Sequence, residues 1–167
     1  LYNCTGAALN HLKRYNFGSG TGINSLDYAK TSTFVALAMN DGTVKTYQHT
    51  AATNIITYKN SFPSVGSTVP QCVNFKPNAS ELAVGYDHYS GNEFIIFGFN
   101  TTSYALSRKY EMDIATSVYI VRYSNGSGTY IARGDPTTRY VSVYKELFNP
   151  FIFENVNLFL NSGITLG

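Results

Sequence analysis

Apolar residues in this chain come in short runs separated by Gly, Asn, Asp and Ser, and three of those runs open alike. Leu26-Asp27-Tyr28, Val73-Asn74-Phe75 and Val121-Arg122-Tyr123 share an aliphatic-x-aromatic pattern at a spacing of 47 and then 48 residues. Each is followed by a polar turn and a second apolar run, Phe34 to Ala38, Leu82 to Gly85 and Tyr130 to Gly134. A third run ends in an aromatic each time, over Thr43 to Tyr47, Phe94 to Phe99 and Tyr140 to Tyr144. Short β-branched and aromatic runs bounded by turn residues predict strands. No segment carries a helical period of useful length.

The N-terminus fits the same frame, because Tyr2 to Ala7 aligns with Tyr47 to Ala52. The chain therefore reads as a partial unit over residues 1–21, units over about 22–68, 69–116 and 117–154, and an apolar tail over 155–167. Four short strands per unit at this period predict an all-β fold of propeller-like repeats, each a four-stranded antiparallel blade. A β-sandwich is the alternative, since its turns recur at similar intervals.

Particular residues carry a family resemblance. Asp41-Gly42-Thr43-Val44-Lys45-Thr46-Tyr47 resembles the second turn and third strand of a WD40-type repeat. Val73 to Asn78 followed by Leu82 to Gly85 is similar to the first two strands. The Gly-His and Trp-Asp signatures are missing, and Tyr47, Phe99 and Tyr144 stand where a Trp is common, so the broader class that includes YVTN-like propellers fits better. The resemblance spans roughly residues 2–146 and implies a scaffold whose loops bind partners; it carries over no catalytic residue.

Composition shifts the reading outward from the cell. Charged residues are 13% of the 167, about half the usual share, while 14 Tyr, 11 Phe and many Asn, Ser and Thr make the surface polar without charge. Four Asn-x-Ser/Thr sequons begin at Asn3, Asn78, Asn100 and Asn125, all expected in turns, where a glycan would be accommodated. Cys4 and Cys72, the two cysteines, form a candidate disulfide in an oxidising compartment. These features predict an extracellular or cell-surface glycoprotein of structural or adhesive kind. The alternative is an intracellular WD40-type protein-interaction scaffold.

Because the first unit lacks two strands, it leaves a bare edge. The nearly uncharged tail, with Val156, Leu158, Leu160, Ile164 and Leu166, is a candidate assembly strand that covers this edge or joins a neighbouring copy head to tail. Expected partners are other copies of the chain or other proteins, together with covalent glycans. A net charge of +2 with scattered cations argues against nucleic acid, and no apolar run is long enough to insert in a membrane.

Catalytic signals are sparse. His11, His49 and His88 lack neighbouring ligands, no Ser sits in a Gly-x-Ser-x-Gly elbow, and Asp-x-Asp calcium loops are absent. The carboxylates, among them Asp27, Asp87, Asp113 and Asp135, fall near turns without a visible pairing. The sequence thus predicts no enzyme, no metal and no cofactor. Tyr86, Tyr89, Tyr104, Tyr119 and Tyr130 remain as candidate contact aromatics.

Overall fold

The computed structural model describes residues 2–5, 8–11, 15–16, 21–30, 33–63, 66–87, 92–126, 128–135, 140–146 and 153–158. Among these every regular element is a strand. β1 (Tyr2–Thr5) and β2 (Ala8–His11) make a two-stranded sheet. Three antiparallel sheets of four strands follow. The first holds β3 (Ile23–Tyr28), β4 (Phe34–Met39), β5 (Val44–Thr50) and β6 (Ile55–Phe62). The second holds β7 (Pro70–Phe75), β8 (Glu81–Tyr86), β9 (Phe94–Phe99) and β10 (Leu106–Met112). The third holds β11 (Ile120–Tyr123), β12 (Tyr130–Asp135), β13 (Tyr140–Glu146) and β14 (Phe153–Leu158). In each, order in space follows order in sequence, as in a propeller blade.

The three aliphatic-x-aromatic runs pair alike. Leu26 faces Leu37, Val73 faces Val84 and Val121 faces Arg133, each on the second strand of its own blade. Blades one and two even share a bulge at equivalent places, between Ile23 and Ser25 and between Pro70 and Cys72. The first strands of successive blades touch, β3 against β7 and β7 against β11. They are the inner strands of an arc, and the third strands sit further out.

Alternation of side chains explains why the middle strands read as unbroken apolar runs. Along β9, Ile95, Phe97 and Phe99 enter a core shared with Phe34, Ala36 and Ala38 of blade one. Phe94 and Ile96 point the other way, into a core shared with Val121, Ile131 and Tyr144 of blade three. A strand buried on both faces shows no polar alternation. Tyr144 fills the aromatic position at the end of a third strand: it is buried, stacks on Phe94 at 6.0 Å, and its hydroxyl accepts a 2.7 Å bond from Arg133 Nε.

Gly85 on β8 is required by close approach. A Cβ there would lie 2.5 Å from both Cγ1 and the carbonyl oxygen of Val118, and 2.6 Å from Cys72 Sγ. The segment entering blade three crosses at that point, and Val118 N donates to Tyr86 O.

The tail behaves differently from its expected role at its start. Val156 and Leu158 lie in β14, opposite Val143 and Val141 of β13, so they complete the third blade. Leu160, Ile164 and Leu166 lie outside the described residues.

Candidate functional site

At one end of the inner strands the three blades enclose a cleft of about 180 Å³. Its nine lining residues are three triplets in repeat register: Asp27, Tyr28 and Lys30 from blade one, Asn74, Phe75 and Pro77 from blade two, Arg122, Tyr123 and Asn125 from blade three. The aromatic of each triplet is common to all units and belongs to the framework. The other two positions vary in charge from blade to blade.

Backbone geometry at the cleft is fixed by the variable positions themselves. Asp27 Oδ2 accepts bonds from Phe75 N at 2.7 Å and from Asn74 Nδ2 at 3.1 Å. One unit later, Asn74 Oδ1 accepts from Tyr123 N at 2.7 Å. A side-chain oxygen of one blade thus ties the inner strand of the next, twice in succession. Arg122 has no acceptor to offer; its Nη1 donates to Val121 O at 2.8 Å and its side chain is exposed. Lys30 Nζ bridges the mouth to Asn125 Oδ1 at 2.8 Å.

Burial raises the Asp27 carboxyl above its ordinary value, against the pull of its bonds from Phe75, Tyr28 and Asn74 and of the Arg122 charge. With Asp27 turned to donors, the groups left facing solvent are the cations of Lys30 and Arg122 and the Asn125 amide. Such a cleft favours an anionic or hydrogen-bond-accepting guest.

Beside the cleft, Glu81 anchors blades two and three. It is buried, and Lys76 Nζ reaches its Oε2 at 3.3 Å. Tyr123 donates its hydroxyl to the same oxygen at 3.1 Å, and Lys109 bonds Oε1.

The residues singled out in the sequence are mostly dispersed. Asn78 and Asn100 are exposed on turns, where each side-chain oxygen caps its own turn, accepting from Ser80 N, and from Thr102 N and Ser103 N. Asn125 is exposed too, but at the cleft mouth. Asn3 and Cys4 fall within β1 rather than in a turn, and their side chains lie outside those described. Cys72 is a buried free thiol against Val118 O at 3.4 Å, and burial pushes its pKa up to about 12.

Asp87 Oδ1 accepts from Val69 N, and Asp113 Oδ1 from Ala115 N. Both serve turns, and the Asp135 side chain lies outside those described. Among the described residues no three His, Cys, Asp or Glu come together as a metal site. Of the tyrosines, Tyr86 is wholly buried and Tyr104 packs on Phe34, whereas Tyr119 and Tyr130 are exposed; Tyr89 is outside the described residues. Asp27, Asn74, Arg122 and Lys30 as one site escaped the sequence reading. The signal was present in the x of aliphatic-x-aromatic and the residue three further on.

No family model and no curated protein matches this sequence. Solved structures do. A candidate 6-phosphogluconolactonase of Bacteroides uniformis superposes with a TM-score of 0.75 at 12% identity, over 92% of this chain and 46% of that one. A chain from the COPII outer-coat vertex on membranes gives 0.61 at 18%, over 75% and 33%. The β-propeller domain of Myceliophteria thermophila Cps50 (Swd1) gives 0.57 at 15%, over 75% and 40%. The chain spans less than half the length of each. At these identities the likeness shows the fold alone, and that fold is the β-propeller.

The expectation of a protein without catalysis is corrected by these neighbours, several of which are gluconolactonases by name. In a propeller, groups that meet at the inner strands are a whole repeat apart in sequence, so a reaction centre leaves no compact signature.

Proposed function

We propose that this chain is a propeller binding module whose inner-strand cleft receives an acidic side chain of a partner protein. The observation that carries the reading is the triplet register: framework aromatics repeat, while Lys30 and Arg122 place two cations at one mouth. The placing of a similar propeller chain within a COPII coat vertex supports an assembly role. Calorimetric titration with a short oligoglutamate peptide tests it. Saturable, salt-sensitive binding is expected, with an Arg122→Ala variant weakened about tenfold, as loss of one charge-assisted bond implies. Equal binding of oligolysine, or no effect of Arg122→Ala, contradicts the reading.

A second reading, an extracellular adhesive glycoprotein, is favoured by the exposure of Asn78, Asn100 and Asn125 on turns. A glycan on Asn125 would stand at the cleft mouth, so it and an acidic guest exclude each other. Mass spectrometry before and after enzymatic deglycosylation of protein from its native source separates the two.

A further inference from the structure

We infer that Asn125-Gly126, at the mouth of the cleft, is a self-modification site at which the Asn125 amide is lost as ammonia, with Lys30 promoting the step. It is the one Asn-Gly pair in the sequence. A cyclic imide forms when the backbone nitrogen after an Asn reaches its side-chain carbonyl carbon, and glycine, with no side chain, hinders that approach least. Asn125 and Gly126 are both exposed, and nothing lies within 4 Å of where a Gly126 Cβ would stand. Gly126 has a φ of +81°, in the left-handed region, so the turn itself calls for glycine there. Asn78 and Asn100 differ on both counts. Ala79 and Thr101 follow them, and each Oδ1 is held by its own turn, accepting from Ser80 N at 3.0 Å and from Thr102 N at 2.9 Å. The Asn125 oxygen instead accepts from Lys30 Nζ at 2.8 Å, from another blade.

An ammonium group only donates, so the atom it faces is the side-chain carbonyl oxygen, and its charge draws electrons away from Cγ. Gly126 N gives its proton to hydroxide and bonds to Cγ, which moves the carbonyl electron pair onto Oδ1, where Lys30 stands to stabilise it. That pair returns as the amide C–N bond breaks, and the nitrogen takes a proton from water and leaves as ammonia, regenerating hydroxide. One water then opens the five-membered imide at either carbonyl, giving aspartate or isoaspartate. In sum one water is consumed and one ammonia released, and nothing is oxidised or reduced. The new carboxylate lies against Lys30 and neutralises one of the two cations at the mouth. Resting on the reading of the cleft as a receiver of acidic side chains, the modification weakens its hold on them as the protein ages.

The test holds the full chain, made in bacteria so that no glycan occupies the amide, in mildly alkaline buffer at body temperature. Peptide mass spectrometry follows it over weeks, with isoaspartyl methyltransferase as a second readout. In the native parent, the tryptic peptide from Tyr123 to Arg133 is expected to show the amide-to-carboxyl mass change before the peptides holding Asn78 and Asn100. Lys30→Met, a change at an exposed side chain, slows that reaction about threefold, the low end for one hydrogen bond in water. In denaturant, where the contact is gone, parent and variant react alike. Equal native rates in parent and Lys30→Met, or earlier loss at Asn78 or Asn100, overturns the inference. Titration of fresh and aged protein with oligoglutamate reads the consequence, an affinity lower by about tenfold after ageing. Fresh protein that fails to bind counts against the reading of the cleft and leaves the modification to the mass data. Equal binding by fresh and fully modified protein overturns the weakening with age.

Discussion

Cys72 shows how repeat position sets a residue's chemistry. On β7 it occupies the forward-facing place held by Ser25 in blade one and Ile120 in blade three, and Gly85 and Val118 close around its sulfur. Burial there disfavours the thiolate, so the group does not react at neutral pH. In a Cys4→Ser variant, labelling by a thiol reagent is expected to be negligible in buffer and complete in denaturant. Rapid labelling of the native protein would contradict the packing described. Tyr86 is the complementary case, a hydroxyl buried in the first core with no hydrogen-bond partner among the described residues. A buried hydroxyl without a partner carries its full desolvation cost. Tyr86→Phe is therefore expected to leave thermal stability unchanged or raise it; a fall of several degrees would mean that the hydroxyl has a partner.

Between elements, Glu81 joins β8 to β10 and β11 through Lys109 and Tyr123. Burial by itself raises this carboxyl, but the bond from Lys109 and the charges of Lys76 and Lys109 outweigh it, and the net shift is below the ordinary value of 4.5. A carboxyl that is more acidic folded than unfolded stabilises the fold at any pH above its unfolded value. That contribution is lost as pH falls through the lowered one. Urea midpoints are thus expected to hold from neutrality down to the ordinary carboxyl range and to drop below it, with a shallower drop in Glu81→Gln. Glu81→Ala removes the carboxylate that Lys76 and Lys109 share, for a cost of ~3 kcal/mol, the low end for a broken buried pair because Lys109 is partly in water.

The elements also show what sequence could reveal. First, second and third strands were legible because the inner strands share the aliphatic-x-aromatic pattern and the middle strands are apolar on both faces, as in Phe94 to Phe99. Outer strands were less so: β10 reads Leu-Ser-Arg-Lys-Tyr-Glu-Met with most of it in water, and the tail was expected to cover an edge or join a neighbouring copy, whereas its start, β14, completes the third blade. The cleft was hidden for another reason. Its polar members sit one per unit, and only superposing the units brings Asp27, Asn74 and Arg122 onto one rung. Sequons drew attention to turns whose Asn residues already have a structural use as caps.

For the whole molecule, everything rests on three sheets built alike and stacked in series, with their first strands innermost. That arrangement puts the triplets at one mouth and explains the likeness to much longer propellers. Cross-strand nuclear Overhauser contacts read the pairing directly. The account predicts the set Leu26 with Leu37, Val73 with Val84 and Val121 with Arg133, with inner strands meeting only through side chains. Ladder contacts between the backbones of β3 and β7, or a different partner strand for any one of the three runs, would contradict it.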